Sequence, residues 1–293
     1  MAHLELTRKK NVSSFRKIAI GTWRTAYDPS VYGTIEVRMD EALRYMAEFR
    51  AKTGQRLTVT HLIAKVIGEI LKETPDANAI LRLNSIYLRK RIGVFFQVVM
   101  TDEGTGKVDL SGLTLYDVEQ KSLVEIVKEF EDKVDKVRTR KDPALEKTRK
   151  SMLGLPQFLI AGVLRFIAFL TYTLNLDMSW AGLPRDPFGS IMVTNIGSLG
   201  LDVAYVPLVP YSRVPILLAL GAVKEEPVVD KGQIVVGKVM RINATFDHRF
   251  IDGYHASVMS RLMRKWFENP YEHFDKLPET EIPELPPADV PLP

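Results

Sequence analysis

A chain of 293 residues, 46% hydrophobic and 26% charged, has ample apolar material for a core and stays within the size that a single α/β unit can reach. Forty Lys plus Arg against 36 Asp plus Glu leave a formal charge of +4, too weak and too evenly spread to argue for nucleic acid. The absence of cysteine excludes a thiol nucleophile, a disulfide and a zinc thiolate site, so any reactive sulfur must arrive on a substrate.

The opening Met1-Ala2-His3-Leu4-Glu5-Leu6 lacks the basic-then-apolar pattern of a secretory signal, which predicts a cytoplasmic protein. Residues 1–13 read as an N-terminal arm, and a strand is expected near 32–38. Asp40 to Lys52 carries Leu43, Met46, Ala47 and Arg50 on one face and stops before Gly54, as an amphipathic helix does. Thr58 is placed to cap a second helix in which Leu62, Ile63, Val66, Ile67, Ile70 and Leu71 form a wide apolar stripe. After a strand near 92–100, Ser122 and Glu125 have capping-box spacing ahead of the helical series Leu123, Ile126, Val127, Phe130, Val134 and Val137. The mixed charges from Glu129 to Lys150 read as a solvated helix face.

From Leu155 to Leu176 the chain is apolar and long enough to span a membrane. Arg165 near its middle opposes this, at about 2.5–3.5 kcal/mol for a central arginine, and Pro156, Gln157 and Asn175 weaken it further. Packing against protein is the expectation, as a subunit contact or the wall of a pocket for an apolar chain; a helix lying on a membrane surface is the runner-up. Strands follow near 190–195, 214–222, 228–229, 234–236 and 238–246. Ala256, Met259, Leu262, Met263 and Trp266 then recur at helical spacing, and from Leu277 the chain is rich in proline and acid. No internal repeat is seen. This pattern predicts a mixed sheet with three of its helices on one face, not a helical bundle.

Asp247-His248-Arg249-Phe250-Ile251-Asp252-Gly253 concentrates an imidazole, two carboxylates and a guanidinium between the last strand and the helix. The glycine is expected to mark the corner where strand becomes helix. A lone histidine is more often structural than catalytic, and His3, His61 and His273 have no comparable context; His255 reads as structural. The whole string differs from these, because it resembles the D-H-R-x-x-D-G signature of the catalytic domain of the 2-oxo acid dehydrogenase acyltransferases. Gly189 to Gly200 similarly resembles that family's G-x-F-T-I-S-N-L-G-x-x-G segment, with Thr194 where the family has serine. The resemblance extends through Arg16-Lys17-Ile18-Ala19, Thr34 to Asp40, Leu57 to Leu81, Ile216 to Val223 and Val228 to Val236. It covers most of residues 14 to 270 and lapses over 140–188.

The resemblance implies an α/β fold of the chloramphenicol acetyltransferase type, a two-layer sandwich built as a trimer, with a catalytic-like domain over 14–276, an apolar insertion at about 151–188 and a proline-rich acidic tail over 277–293. It implies an acyltransferase that moves an acyl group between coenzyme A and a thiol such as dihydrolipoamide. His248 becomes the general base, and Thr194, on a neighbouring subunit, the oxyanion donor. Asp252 has two readings: orienting the histidine loop through a salt bridge to Arg16, or touching the reacting groups. Asp247, Arg249, Gly253 and Asn195 are expected to support the site. No metal is implied. The family's lipoyl and partner-binding domains find no room here, so lipoamide is expected on another chain and the enzyme to be free-standing. The tail places cage assembly in question, and an alcohol acceptor stays open through the chloramphenicol acetyltransferase likeness. The competing reading is a trimeric assembly protein whose chemistry has decayed and whose insertion contacts a membrane or other chains.

Overall fold

The computed structural model describes residues 2–10, 29–101, 108–139 and 156–278. Arg16 and the tail from residue 279 lie outside them.

Six strands form the main sheet: β2 (Ser30–Arg38), β5 (Gly93–Thr101), β6 (Val108–Tyr116), β7 (Ile191–Asn195), β8 (Ile216–Asp230) and β9 (Gln233–Asp247), in the order β2-β9-β8-β7-β5-β6. β7 runs parallel to both β5 and β8, and the other pairings are antiparallel, which makes the sheet mixed. A smaller sheet joins β1 (Leu6–Arg8), β4 (Ser85–Arg89) and β3 (Ala79–Arg82).

Helices cover one face of the main sheet. α1 (Asp40–Thr53) opens with Asp40 and Glu41 and ends at Gly54, whose left-handed φ of 70° lets its N–H reach the Arg50 carbonyl at 2.9 Å. α2 (Val59–Glu73) is capped as expected at Thr58, with the unusual feature that the reciprocal partner is His61, whose Nδ1 accepts the Thr58 N–H at 3.2 Å. α3 (Leu123–Arg138) has the expected Ser122–Glu125 capping box. These helices and α5 (Gly253–Glu268) bury their apolar stripes with the even-numbered β9 residues Met240, Ile242, Ala244 and Phe246 in one core cluster.

The other face carries polar β9 side chains, and they hold an extended strap laid across it. Asn243 Nδ2 donates to the Asp202 carbonyl at 3.0 Å, Thr245 Oγ1 to the Val206 carbonyl at 2.8 Å, and the Thr34 and Tyr205 hydroxyls pair at 2.7 Å. Alternate residues of the strap, Leu201, Val203, Tyr205 and Val209, stay nearly half exposed.

The expected short strands at 228–229 and 234–236 are parts of two continuous 15-residue strands. Beyond the bulge at Leu220/Val223, β8 and β9 leave the sheet as a ribbon that pairs Lys224–Asp230 with Gln233–Val239. Pro227 suggests a break in sequence, yet it faces Val236 on one side and no strand on the other, where a missing N–H costs nothing.

The apolar segment forms α4 (Gln157–Ala168), which runs into a π-helical turn at Phe169–Thr173. No helix among the described residues is long and apolar enough to cross a membrane. Its inner side packs on protein: Ala168 and Tyr172 cluster with Leu4 and Ile80, and Asn175 brackets Leu4, accepting its N–H at 2.6 Å and donating to its carbonyl at 2.9 Å. Phe166 and Phe169 of this segment remain exposed, as does Trp180 beyond it.

Candidate active site

β9 delivers His248. The backbone N–H groups of Asp247 and His248 donate to the carbonyls of Pro215 and Pro29, each at 2.9 Å, so the strand stays paired up to the histidine. Phe250 and Ile251 then plunge into the core at 2% and 1% exposure and pin the turn from below, leaving His248 half-buried above them. Asp247, itself buried, accepts Arg249 Nε at 2.9 Å, Arg249 Nη2 at 2.5 Å and the Arg249 backbone N–H at 3.0 Å. That bidentate clamp closes the turn.

The ring of His248 is oriented by its own loop. Nδ1 lies 2.8 Å from the carbonyl oxygen of Ile251. A carbonyl only accepts, so Nδ1 carries the hydrogen, and in the neutral ring Nε2 holds the lone pair. The loop therefore fixes the tautomer that a general base requires, with Nε2 as the basic atom.

Asp252 is the N-cap of α5. Its Oδ1 accepts the N–H groups of Tyr254 at 3.1 Å and His255 at 3.2 Å, and His255 Nδ1 at 2.7 Å. The cap fixes the start of the helix directly after the histidine turn. Its expected partner Arg16 lies outside the described residues. Gly253 is not a left-handed corner: it opens α5 with no positive φ, and a Cβ there would meet nothing within 4 Å. The turn is made instead by residues 247–252, through hydrogen bonds from the Phe250 and Ile251 N–H groups to the Asp247 carbonyl at 3.3 and 3.0 Å.

Thr194 is the half-buried penultimate residue of β7, and strand alternation puts it on the face of Met192, away from the helices. Asn195 accepts the Ser198 N–H at 3.2 Å through Oδ1, and its carbonyl accepts the Ser198 hydroxyl at 2.8 Å, which folds the glycine turn back. Gly197 is needed there, because a Cβ would sit 2.7 Å from the backbone of Gly221 and Ala222 on β8.

One chain does not bring His248 and Thr194 together. Thr194 is in register with Ala219, and Ala219 with Asn243, five residues before His248 on β9. Two strand spacings across and five residues along the sheet separate the groups by roughly 15–20 Å. Sequence reasoning missed the Ile251 carbonyl, which no side-chain motif announces, and the strap, whose alternating Leu201, Val203 and Tyr205 carried a readable two-residue period.

The family model for the 2-oxoacid dehydrogenases acyltransferase (catalytic domain) matches residues 6–152 and 188–274. The lipoamide acyltransferase component of the branched-chain alpha-keto acid dehydrogenase complex of Pseudomonas putida is 37% identical over 81 residues, 28% of this chain and 19% of that protein. A probable dihydrolipoyllysine-residue succinyltransferase component of Schizosaccharomyces pombe is 34% identical over 82 residues, 28% of this chain and 18% of that protein. The chain thus matches about a fifth of the length of these relatives. In fold, the dihydrolipoamide acetyltransferase of Azotobacter vinelandii has a TM-score of 0.62 at 20% identity, covering 90% of this chain and 93% of that one. The truncated catalytic core of the 2-oxoacid dehydrogenase multienzyme complex from Thermoplasma acidophilum has a TM-score of 0.59 at 20% identity, covering 90% and 99%.

Proposed function

The chain belongs to the family of 2-oxoacid dehydrogenase acyltransferase catalytic domains, and from that premise we propose that it transfers an acyl group between coenzyme A and a thiol of the dihydrolipoamide type. The observation that carries this reading is the His248 ring, held by the Ile251 carbonyl in the tautomer with a basic Nε2. Nε2 takes the proton of the acceptor thiol as its sulfur attacks the thioester carbonyl. The Thr194 hydroxyl donates a hydrogen bond to the resulting oxyanion, and collapse expels the coenzyme A sulfur, which recovers the proton from the imidazolium. Threonine keeps the hydroxyl of serine while its methyl restricts χ1.

The separation of His248 from Thr194 within one chain supports a site shared between copies. The outer ribbon supports the same arrangement. Val229, Ile234 and Val236 are each more than 70% exposed on a two-stranded element, which is marginal in water unless covered. A second copy of the chain is the cover that also pairs the two catalytic groups. Ile234→Asp with Val236→Asp is expected to yield smaller species in sedimentation and to abolish transfer although His248 is untouched; an unchanged assembly would refute the contact.

The direct test is transfer from acyl-coenzyme A donors of graded chain length to dihydrolipoamide. Thr194→Ser should retain activity, and Thr194→Val should lose about 10²–10³-fold in kcat. Failure of every donor with the unaltered protein would shift the reading to an assembly role.

A further inference from the structure

A second polar site lies where the family match is interrupted. Residues 153–187 fall between the two matched segments, and their end supplies Arg185 and Asp186 to a pocket of about 170 Å³. The remaining walls come from His3 and Glu5 near the start of the chain, Arg89 and Arg91 at the end of β4, and Tyr116 of β6.

Its inner wall is incompletely hydrogen-bonded. Arg89, with a side chain only 3% exposed, spends Nη1 on Asp186 Oδ2 at 2.5 Å, while its Nε and Nη2 have no partner. Those two nitrogens form the edge of a guanidinium that grips an oxyanion bidentately. His3 is 3% exposed, and its Nε2 accepts the backbone N–H of Asp186 at 3.3 Å, so Nδ1 bears the hydrogen and also lacks a partner. Burial depresses the His3 pKa, partly offset by Asp186. The backbone carbonyl of Asp186 is held by the Tyr116 hydroxyl, but Asp186 Oδ1 is unpartnered. Three donors and one acceptor on residues that line this pocket are thus buried without a partner, each costing about 1–3 kcal/mol if left unsatisfied.

Arg91 and Arg185 stand at the exposed rim. Arg91 is paired with Asp117 at 2.6 Å and Arg185 lies 3.7 Å from Asp177, and each guanidinium keeps further N–H donors beyond these contacts. Glu5, also exposed, is the other carboxylate lining the pocket.

We propose that this pocket binds a phosphate-type oxyanion, its unprotonated oxygens accepting from Arg89 Nε, Arg89 Nη2 and His3 Nδ1, and its hydroxyl donating to Asp186 Oδ1. A simple halide meets the donors but not the acceptor; a hydrogen phosphate meets both. Neither His248 nor Thr194 lines the site.

Calorimetric titration of the full chain with inorganic phosphate in chloride buffer tests this. Saturable binding is expected, weakened roughly tenfold or more by Arg89→Lys, which keeps the charge and loses the fork, and roughly threefold by Arg185→Gln at the rim. Coenzyme A and dephospho-coenzyme A then distinguish the source. Displacement of phosphate by the first alone identifies a ligand-borne 3′-phosphate, and displacement by neither identifies the free ion. Absence of saturable binding, or equal affinity in the unaltered protein and both variants, overturns the proposal. Should Arg89→Lys fail to fold, Arg185→Gln and Arg91→Gln, at exposed positions, carry the comparison alone.

Discussion

Replacing His248 with alanine is expected to lower thioester transfer by about 10²–10⁴-fold, the range that a positioned general base contributes. Folding should survive, because the turn is anchored by Phe250, Ile251 and the Asp247–Arg249 clamp, none of which depends on the ring. The sharper measurement uses two variants. If His248 of one copy works with Thr194 of another, inactive His248→Ala and inactive Thr194→Val chains refolded together must regain activity, since some interfaces then receive both intact groups. Recovery to a sizeable fraction of the original rate is the expected result. No recovery from well-assembled mixtures would return both groups to a single chain, which their placement on the sheet does not permit without refolding β7 or β9.

Acidification should destabilise the fold through His61. Burial, with a smaller contribution from Arg56, lowers its pKa from 6.5 to about 4 in the folded chain, while the unfolded chain keeps an ordinary imidazole. Between those two values the unfolded state binds a proton that the folded state refuses, so this group's contribution is complete above pH 6.5 and is lost as pH falls toward 4. The full loss is about 3 kcal/mol. His61→Gln retains a side-chain acceptor at the third helical position, suitable for the Thr58 capping box, and removes the titration. Urea unfolding of both proteins at pH 7 and pH 4.5 should show a much flatter dependence in the variant. Parallel slopes would mean that His61 is protonated within the folded helix.

Elements with strong local signals were legible in the chain. Helices α1, α2 and α3 carried caps as well as apolar stripes, and β2, β5, β7 and the inner part of β9 carried alternation or a dense apolar run. The strands that escaped notice lack those signals. β1 is three residues long, and β3 and β4 meet at a turn built from Leu83 and Asn84 with φ of 48° and 57°, where leucine is an uncommon choice that no turn preference would select. β6 includes Ser111 and Gly112, poor strand formers; the Phe95 ring occupies the space beside the glycine, where a Cβ would displace it. At the site, side-chain identities were readable, but their geometry was not. Asp252 acts locally as a helix cap, and the histidine is oriented by a backbone carbonyl, a partner every residue has. The phosphate-type pocket was hidden for another reason: His3, Arg89 and Asp186 are scattered through the sequence, and only the docking of the inserted segment against the chain's opening residues assembles them.

β9 is an unbroken strand with the apolar ribbon at one end and the histidine turn at the other. If a second copy covers the ribbon as proposed above, the strand acts as a beam: the neighbour that grips the far tip braces the histidine turn, some fourteen residues away, without touching it. In such an arrangement, turnover belongs to the associated particle, and dilution switches it off before any chain unfolds.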